Sequence, residues 1–332
     1  MFSRRLFLAS SLGGASLALS SLRAAEPAVR TGDVKYAPPE NETGIPEKFR
    51  LAAHTFSFRE EPVDISSDDL TVARLTFPSP VTTPFPENNT VHAEYFRPRT
   101  GTNLPAVVVL HILGGDFPLA RYCATTLAQR GVAALFVKMP YYGPRRPASG
   151  RKMVSEDPHE TVEGMTQAIL DIRRATAWLA AQDVVDARRL GVFGISLGGI
   201  AAALATTLEP HIARACLVLS GGDIGRVGWE SPELAKVRRK WTEGGHTREE
   251  FVAIVKEIDP ITYAANARDR QLLMLNAKSD EVIPRACTEA LWTALGKPEI
   301  VWFDGGHYSV ARHIFDALDR AARFFTAPVV AK

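Results

Sequence analysis

The chain has 332 residues, 46% of them hydrophobic and 23% charged, with a formal net charge of +2. These values predict a globular protein with ample core material in one or two domains, and the near-neutral charge argues against a nucleic-acid partner. The three cysteines lie far apart with no C-x-x-C spacing, so neither a disulfide framework nor a zinc site is indicated, and no metal or other cofactor is expected.

The first 25 residues have the composition of a signal peptide, with a basic start, a stretch of apolar and small residues and then polar sequence. The apolar stretch is too short for a comfortable transmembrane helix, so we expect no stable membrane span once the signal is removed. Arg4 and Arg5 stand in SRRLFL, which resembles the bacterial twin-arginine export consensus. A periplasmic or secreted protein is therefore predicted; an ordinary secretory signal is the alternative, and the cleavage site stays open.

Residues 26–69 are expected to form an extended lead-in and an edge strand. Residues 26–48 are rich in Pro, Gly and charge, whereas 54–58 alternate between apolar and polar side chains. Similar alternation at 71–77 and 90–96 predicts two further strands. Together these strands would form an antiparallel edge of the sheet.

Residues 70–328 are predicted to form one α/β domain, because apolar strands alternate with amphipathic helices. Such alternation indicates a mostly parallel, doubly wound sheet. The predicted strands are 106–112, 132–139, 190–193, 215–219, 271–277 and 300–303, and the predicted helices are 119–130, 162–181, 197–208 and 310–325. Segment 222–270 is longer than a crossover needs, and its helical patches predict a small helical insertion over the top of the sheet.

The stretch VFGISLGGIAAALA contains the pattern G-x-S-x-G between a buried strand and a buried helix. Gly194 and Gly198 predict a tight turn in which Ser196 takes an unfavourable backbone conformation with its side chain pushed outward. A nucleophile elbow has this form, because a weakly nucleophilic hydroxyl must stand clear of the backbone, near a base and near amide donors. The alternative is an ordinary tight turn with a serine helix cap.

The partners of Ser196 are expected outside the carboxyl ends of the parallel strands, where ligands gather in such sheets. His307 follows the strand at 300–303, and Asp280 follows the strand at 271–277. The order Ser, acid, His, with the acid one strand before the histidine, favours Asp280 as the acid. Asp223, which is better explained as a turn or helix-capping residue, is the rival, and Glu281 is a weaker one.

Two backbone N–H groups are needed to stabilise the oxyanion. The Leu197 amide, which follows the nucleophile, is the first predicted donor. The second should come from the loop at 111–115, after the buried strand, and we select the Leu113 amide, although which residue of this loop donates stays open.

The loop MPYYGPRRP, residues 139–147, follows another strand at the same edge. Tyr141, Tyr142, Arg145 and Arg146 are therefore candidate substrate-binding residues that would form an aromatic and guanidinium wall for an anionic or sugar substrate. The alternative is a rigid Pro-Gly turn with solvated arginines and with tyrosines packed on the core.

From about residue 70 to 326 the chain resembles α/β-hydrolases, in particular dienelactone-hydrolase-like esterases. The stretches GISLGG, AKSDEVIP, GGHYS and LDIRRATAWLA carry the resemblance. The chain departs from the family at His111-Ile112, where His-Gly is common. A serine nucleophile argues against the dienelactone hydrolases proper, which use cysteine, and against dehalogenases, which use aspartate.

The sequence therefore predicts an exported serine hydrolase that cleaves a carboxylic ester through Ser196, His307 and Asp280. The substrate would be a small-molecule, carbohydrate or lipid ester, and the oligomeric state stays open. The alternatives are a serine peptidase or amidase on the same fold, and a hydrolase-like binding module without catalysis. The complete order of triad residues argues against the binding module.

Overall fold

The computed structural model describes residues 28–63, 69–115 and 117–328. The predicted signal peptide, with Arg4 and Arg5, lies outside the described residues. Among those that are described, no helix combines the length and the apolar character needed to cross a membrane.

A ten-stranded mixed sheet is the centre of the fold, with the strand order β1-β2-β3-β4-β6-β5-β7-β8-β9-β10. Strands β1 to β4 pair antiparallel with one another, and β4 pairs antiparallel with β6. From β6 to β10 every neighbouring pair is parallel, so the predicted fold class, a mostly parallel sheet with an antiparallel edge, is confirmed. The strands are β1 Arg30–Tyr36, β2 His54–Val63, β3 Leu70–Pro78, β4 Thr90–Pro98, β5 Leu104–Leu110, β6 Ala133–Val137, β7 Val185–Ile195, β8 Arg214–Val218, β9 Gln271–Ala277 and β10 Glu299–Phe303.

The described residues contain eight α-helices: α1 Phe117–Gln129, α2 Pro158–Ala180, α3 Leu197–Leu208, α4 Ile224–Glu230, α5 Ala235–Glu243, α6 Arg248–Val255, α7 Arg285–Ala294 and α8 Ile314–Thr326. Helices α2, α3 and α7 pack in the core on one face, whereas α1 and α8 pack in the core on the other. The central strand β5 has both of its faces covered, because Val108 and Leu110 join the first core and Val107 and Val109 the second. This explains why its sequence is apolar at every position.

The ends of several helices follow from their sequences. Helix α2 begins after Asp157, whose side chain accepts a hydrogen bond from the N–H of His159, and Pro158 occupies the first helical position. Helix α6 begins with a capping box formed by Thr247 and Glu250. Helix α3 is apolar on all sides, and eleven of its residues are buried, as is typical of a helix in the interior of a domain.

Two parts of the chain differ from the sequence-based expectation. Strand β1 lies inside the segment that was expected to be an extended lead-in. It forms an edge strand there, because it pairs with β2 along its whole length. Only Val34 and Tyr36 of this strand are buried, so its sequence has little apolar pattern. Helix α7 was not predicted, and it buries only Cys287, Thr288 and Leu291.

Segment 222–270, expected to be a helical insertion, contains α4, α5 and α6 together with short 3₁₀ turns. Phe251 and Val255 of α6 are buried against the core that includes α2. The insertion follows β8, whose carboxyl end faces the same edge of the sheet as those of β7, β9 and β10. It therefore lies beside the site described next.

Candidate active site

Ser196 lies at the turn between β7 and α3, with a backbone φ of 56° and ψ of −118°. A positive φ is unfavourable for a residue that carries a Cβ, so the turn holds strain that the surrounding packing must offset. The Ser196 N–H donates to the carbonyl of Val218 in β8, and its carbonyl accepts from the N–H of Ile200 in α3. These bonds fix the serine at the carboxyl end of the central strands.

Three glycines make this turn possible. A Cβ on Gly194 would lie 2.0 Å from the carbonyl oxygen of Gly198, across the turn itself. A Cβ on Gly198 would lie 2.6 Å from the carbonyl oxygen of Leu110 in β5, and one on Gly199 would lie 2.6 Å from that of Val218. Since these neighbours are backbone atoms that cannot move aside, the pattern reflects close contact of the turn with β5 and β8.

His307 reaches Ser196 from the loop after β10, and Asp280 reaches His307 from the loop after β9. The Nε2 of His307 lies 2.9 Å from the Ser196 Oγ. Its Nδ1 lies 2.8 Å from Asp280 Oδ2 and 3.0 Å from Oδ1. The structure thus brings the three residues selected from the sequence into one continuous chain of hydrogen bonds.

The surroundings of Asp280 hold its carboxylate in place and favour a single imidazole orientation. Its Oδ1 also accepts from the backbone N–H groups of Val282 and Ile283, at 2.9 and 2.8 Å. The side chains of His307 and Asp280 are only 7% and 4% exposed, so water competes little for these bonds. With its Nδ1 proton held by the carboxylate, a neutral His307 presents the unprotonated Nε2 to the serine hydroxyl.

The two rival acids lie elsewhere. Asp223 is the N-cap of α4, and its side chain accepts from the N–H of Arg226, which is the capping role expected for it. Glu281 contacts the backbone of His307 and not its ring: its Oε2 accepts from the His307 N–H at 2.8 Å. The position of Asp280 against the imidazole therefore distinguishes it from both.

The loop at 111–115, where the second oxyanion donor was expected, lies against the start of α3. Gly115 donates its N–H to the carbonyl of Ile112, and the Tyr142 hydroxyl donates to the carbonyl of Leu113 at 2.8 Å. Both bonds hold this loop through its carbonyl groups. The Leu113 N–H has no acceptor in the part of the chain that the structure describes.

His111 of this loop is structural. Its Nδ1–H donates to the Ile112 carbonyl at 2.9 Å, and its Nε2 accepts from the Met139 N–H at 3.1 Å. Burial lowers the pKa of His111 to about 4. Its ring also packs edge-on against Tyr142, so a neutral imidazole joins the loop after β5 to the loop after β6.

The structure corrects one of the predicted substrate-binding residues. Arg145 is fully buried, with 0% exposure, and its Nη1 forms an ion pair with Asp171 of α2 at 2.8 Å. Its guanidinium also donates to the carbonyls of Asn88 and Lys138. Because every one of these partners is internal, Arg145 anchors the loop to the core and cannot contact a substrate.

The other three candidates of this loop line a cleft of about 780 Å³. Tyr141 and Tyr142 are themselves mostly buried, and Arg146 is exposed. Leu113 and Gly114 also line the cleft, so it begins beside the loop expected to supply the second oxyanion donor. Its volume is in the range of pockets that hold a small organic molecule.

The helical insertion forms another wall of this cleft, which the sequence did not predict. Glu233 accepts a hydrogen bond from the hydroxyl of Tyr308, the residue after His307. Lys236, one turn further along, pairs with Glu156 in the loop before α2. No sequence pattern marks these contacts, because they join exposed polar residues that are distant in the chain.

Comparison with known proteins agrees with the fold. Residues 61–222 match the sequence model described as alpha/beta hydrolase domain containing 18, and residues 162–327, half of the chain, match that of the prolyl oligopeptidase family. The chain belongs to the α/β-hydrolase superfamily. The second match also makes it a member of the prolyl oligopeptidase family as that sequence model defines it.

Solved α/β-hydrolase structures share the fold at low sequence identity. An acetyl xylan esterase from Paenibacillus sp. R4 is 21% identical with a TM-score of 0.66, covering 80% of this chain and 88% of its own. Acetyl xylan esterase 1 from Thermoanaerobacterium sp. JW/SL YS485 is 19% identical with a TM-score of 0.64, covering 81% and 88%. A cold-adapted esterase from an Arctic intertidal metagenomic library is 18% identical with a TM-score of 0.56, covering 78% and 96%.

The curated relatives include two uncharacterized proteins from strains of Mycobacterium tuberculosis. Each is 31% identical over 181 residues, which is 53% of this chain. The aligned part covers 42% of each relative, so the match spans less than half of their length.

Proposed function

We propose that this α/β-hydrolase is a serine hydrolase that cleaves carboxylic esters. The observation that carries the proposal is the continuous hydrogen-bond chain from the Ser196 Oγ through His307 to Asp280. A nucleophile, a base and a group that orients the base are the parts that acyl transfer needs. The strained turn at Ser196 adds support, because strain of this kind is retained where a side chain must be presented.

The reaction follows from these positions. His307 Nε2 takes the Ser196 proton as Oγ attacks the carbonyl carbon of the ester, and Asp280 stabilises the imidazolium that forms. The proton then passes to the leaving alcohol as the ester C–O bond breaks, which leaves an acyl group on Ser196. A water molecule, activated by His307, attacks this acyl-enzyme and releases the acid.

The oxyanion of each tetrahedral intermediate would accept hydrogen bonds from the amides of Leu197 and Leu113. Leu197 is the first residue of α3, where helical N–H groups have no partner within the helix and the helix dipole favours negative charge. The loop at Leu113 is held through its carbonyl by Tyr142, which supports an N–H that stays directed to the site. Donors fixed in this way need no reorganisation during the reaction.

The substrate would extend from Ser196 into the cleft lined by Tyr142 and Arg146. In the part of the chain that is described, the Arg146 guanidinium has no carboxylate partner, in contrast to the paired Arg151 and Lys236 in the same cleft. An ester with an anionic or strongly polar group would therefore bind best. Carbohydrate, lipid and small-molecule esters remain the candidate classes.

Substrate preference tests the role of Arg146. Arg146→Gln should raise the KM for a carboxylate-bearing ester, 4-nitrophenyl succinate, about tenfold, equivalent to ~1.4 kcal/mol. Hydrolysis of 4-nitrophenyl acetate should stay near wild type. An equal response of the two substrates would remove Arg146 from the substrate site.

Replacement of the nucleophile tests the function itself. Ser196→Ala should lower turnover of 4-nitrophenyl acetate by at least ~10³-fold while the circular dichroism spectrum and thermal unfolding stay near wild type. Ser57→Ala, which changes an exposed serine on β2, is the matched control. Retention of more than a tenth of the activity in purified Ser196→Ala protein would contradict the proposal.

A peptidase or amidase is the second candidate, and the match to the prolyl oligopeptidase family favours it. Parallel assays with 4-nitrophenyl esters and with 4-nitroanilides of the same acyl groups separate the two activities. The ester hydrolase proposal expects turnover of the esters to exceed that of the anilides by orders of magnitude. Comparable rates would favour the peptidase.

Export to the periplasm through the twin-arginine route is proposed from the sequence alone. Changing Arg4 and Arg5 together to lysine should leave the precursor in the cytoplasm. Fractionation of expressing cells measures this directly. A normal periplasmic yield of the double variant would indicate the general secretory route.

A further inference from the structure

The loops that carry Asp280 and His307 run side by side beyond the ends of their strands. The Lys278 N–H donates to the carbonyl of Phe303 at 2.9 Å, and the Ser279 N–H donates to that of Gly305 at 3.0 Å. These bonds continue the parallel pairing of β9 with β10 past the last strand residues. The backbones of the two loops are therefore held in one register up to the point where the histidine begins.

Beyond Gly305, the hydrogen bond between the two loops is made by the Glu281 carboxylate and no longer by a backbone carbonyl. Its Oε2 accepts from the His307 N–H at 2.8 Å. The same oxygen lies so close to Gly306 that a Cβ there would be 2.2 Å away. A hydrogen bond to an ionised acceptor is stronger than one between neutral groups, so this contact holds the backbone of His307 firmly.

We propose that Glu281 is a positioning residue for His307, an inference that rests on the proposed hydrolase function. Asp280 orients the imidazole from the side-chain end, and Glu281 fixes the backbone from which that side chain extends. The ring must meet both Asp280 and the Ser196 Oγ, so a small shift of the His307 backbone lengthens one bond or the other. Misplacement of a catalytic group by about 1 Å can cost ~10²-fold in rate.

Glu281 is suited to this role because it is not itself in the reaction. Glu281 is an exposed residue, and its carboxylate contacts the main chain of His307 and Gly306. Loss of the contact would therefore affect the geometry of the base and leave the cleft that binds substrate unchanged. The expected kinetic signature is a fall in kcat with little change in KM.

Two substitutions at this position separate the hydrogen bond from the charge. Glu281→Ala removes the acceptor and should lower kcat for 4-nitrophenyl acetate about tenfold or more, with KM within about twofold of wild type. Glu281→Gln keeps a carbonyl oxygen for the His307 N–H and should recover most of the lost activity. Glu289→Ala, which removes an exposed glutamate paired with Arg285 on α7, is the control and should behave as wild type.

Gly306→Ala provides an independent route to the same disruption. Its Cβ would lie 2.2 Å from the Glu281 carboxylate and would displace it, whereas the Ser279 carbonyl oxygen would be 3.1 Å away, so the single variant should reproduce the loss seen in Glu281→Ala. In the Glu281→Ala background that oxygen is absent, and adding Gly306→Ala should lower kcat by less than about threefold. If the losses of kcat in the two single variants multiply in the double variant, the two residues act independently, and the proposal is overturned.

The outcome for Glu281 can be read separately from the outcome for the proposed function. If Ser196→Ala is inactive and Glu281→Ala has wild-type kcat, the hydrolase function stands and the positioning role is wrong. A change in KM alone would also overturn the positioning role. If Ser196→Ala stays active, the proposed function fails first.

Discussion

The turn at residues 194–199 and the loop at residues 139–147 both follow parallel strands at the same edge of the sheet, but their sequences are informative to different degrees. At the turn, each glycine of the pattern is required by a nearby backbone atom, either across the turn itself or in a neighbouring strand, so residue types and spacing alone indicate the geometry. In the loop, two adjacent arginines have opposite environments: Arg145 is fully buried and Arg146 is exposed.

The difference lies in where the deciding contacts come from. Two partners of the Arg145 guanidinium, Asp171 on α2 and the carbonyl of Asn88 before β4, are distant from it in the sequence. A local pattern can predict a conformation that local sterics impose. It cannot predict which of two identical side chains meets a buried carboxylate brought in by the fold.

The largest effect is expected at the acid that serves the turn at residues 194–199. Asp280→Asn should lower kcat by about 10³–10⁴-fold, because an amide cannot hold the Nδ1 proton and the positive imidazolium as a carboxylate does. Asp223→Asn should retain kcat within about twofold, since Asp223 caps α4. Steady-state hydrolysis of 4-nitrophenyl acetate measures both, and the reverse ranking would mean that chain order misidentified the acid.

The next effect concerns stability and sharpens the contrast between the two arginines. Arg145→Met should lower the free energy of unfolding by about 3–5 kcal/mol, because it leaves the buried Asp171 carboxylate without its cationic partner and, among the described residues, with only the Ser79 hydroxyl as a donor. Arg146→Met should change it by no more than ~0.5 kcal/mol. Urea unfolding followed by tryptophan fluorescence gives both values.

A second substitution checks the cause of the Arg145 effect. In Arg145→Met/Asp171→Leu the unpaired charge is gone, so much of the lost stability should return. Equal stability of Arg145→Met and Arg146→Met would show that the buried ion pair contributes nothing to holding the loop.

A smaller effect of pH is expected from His111, which joins the loop after β5 to the loop at 139–147. Its pKa is about 4 in the folded protein and about 6.5 in the unfolded chain, so between these values the unfolded state binds more protons. The stabilisation due to a neutral His111 is therefore fully present above pH 6.5 and is lost as the pH falls towards 4, by roughly 2–3 kcal/mol.

Comparison with a residue that does not titrate isolates this contribution. From pH 7 to pH 4.5, the free energy of unfolding should fall more for the wild type than for His111→Gln, whose amide can replace both hydrogen bonds. The same decrease in both proteins would show that His111 is not held neutral by burial.

Much of the sheet could be predicted from the sequence because its strands are buried on both faces. The predicted bounds of α3 and β9 are those of the structure, since each is a long apolar run with a clear end. Strand β1 and helix α7 were not identified, because each buries only a few residues and so has little apolar periodicity. Whether such elements form depends on tertiary packing, which the local sequence does not show.

The same distinction applies to the candidate site. Ser196, His307 and Asp280 were selected by a turn pattern and by their place after consecutive strands, and the structure brings them within hydrogen-bonding distance. Glu281 was considered only as a rival acid, and its contact with the His307 backbone depends on the register of two loops. The wall of the cleft formed by Glu233 depends on how the insertion packs, which no local pattern records.

Covalent labelling of the serine is the most direct test of the central claim that Ser196 is activated by His307. Purified protein should react with a fluorophosphonate at neutral pH to one adduct per chain, and peptide mass spectrometry should locate that adduct on Ser196. His307→Ala should slow the labelling by orders of magnitude while thermal unfolding shows an intact fold. An adduct on another residue, or labelling of Ser196 at an unchanged rate in His307→Ala, would contradict the account.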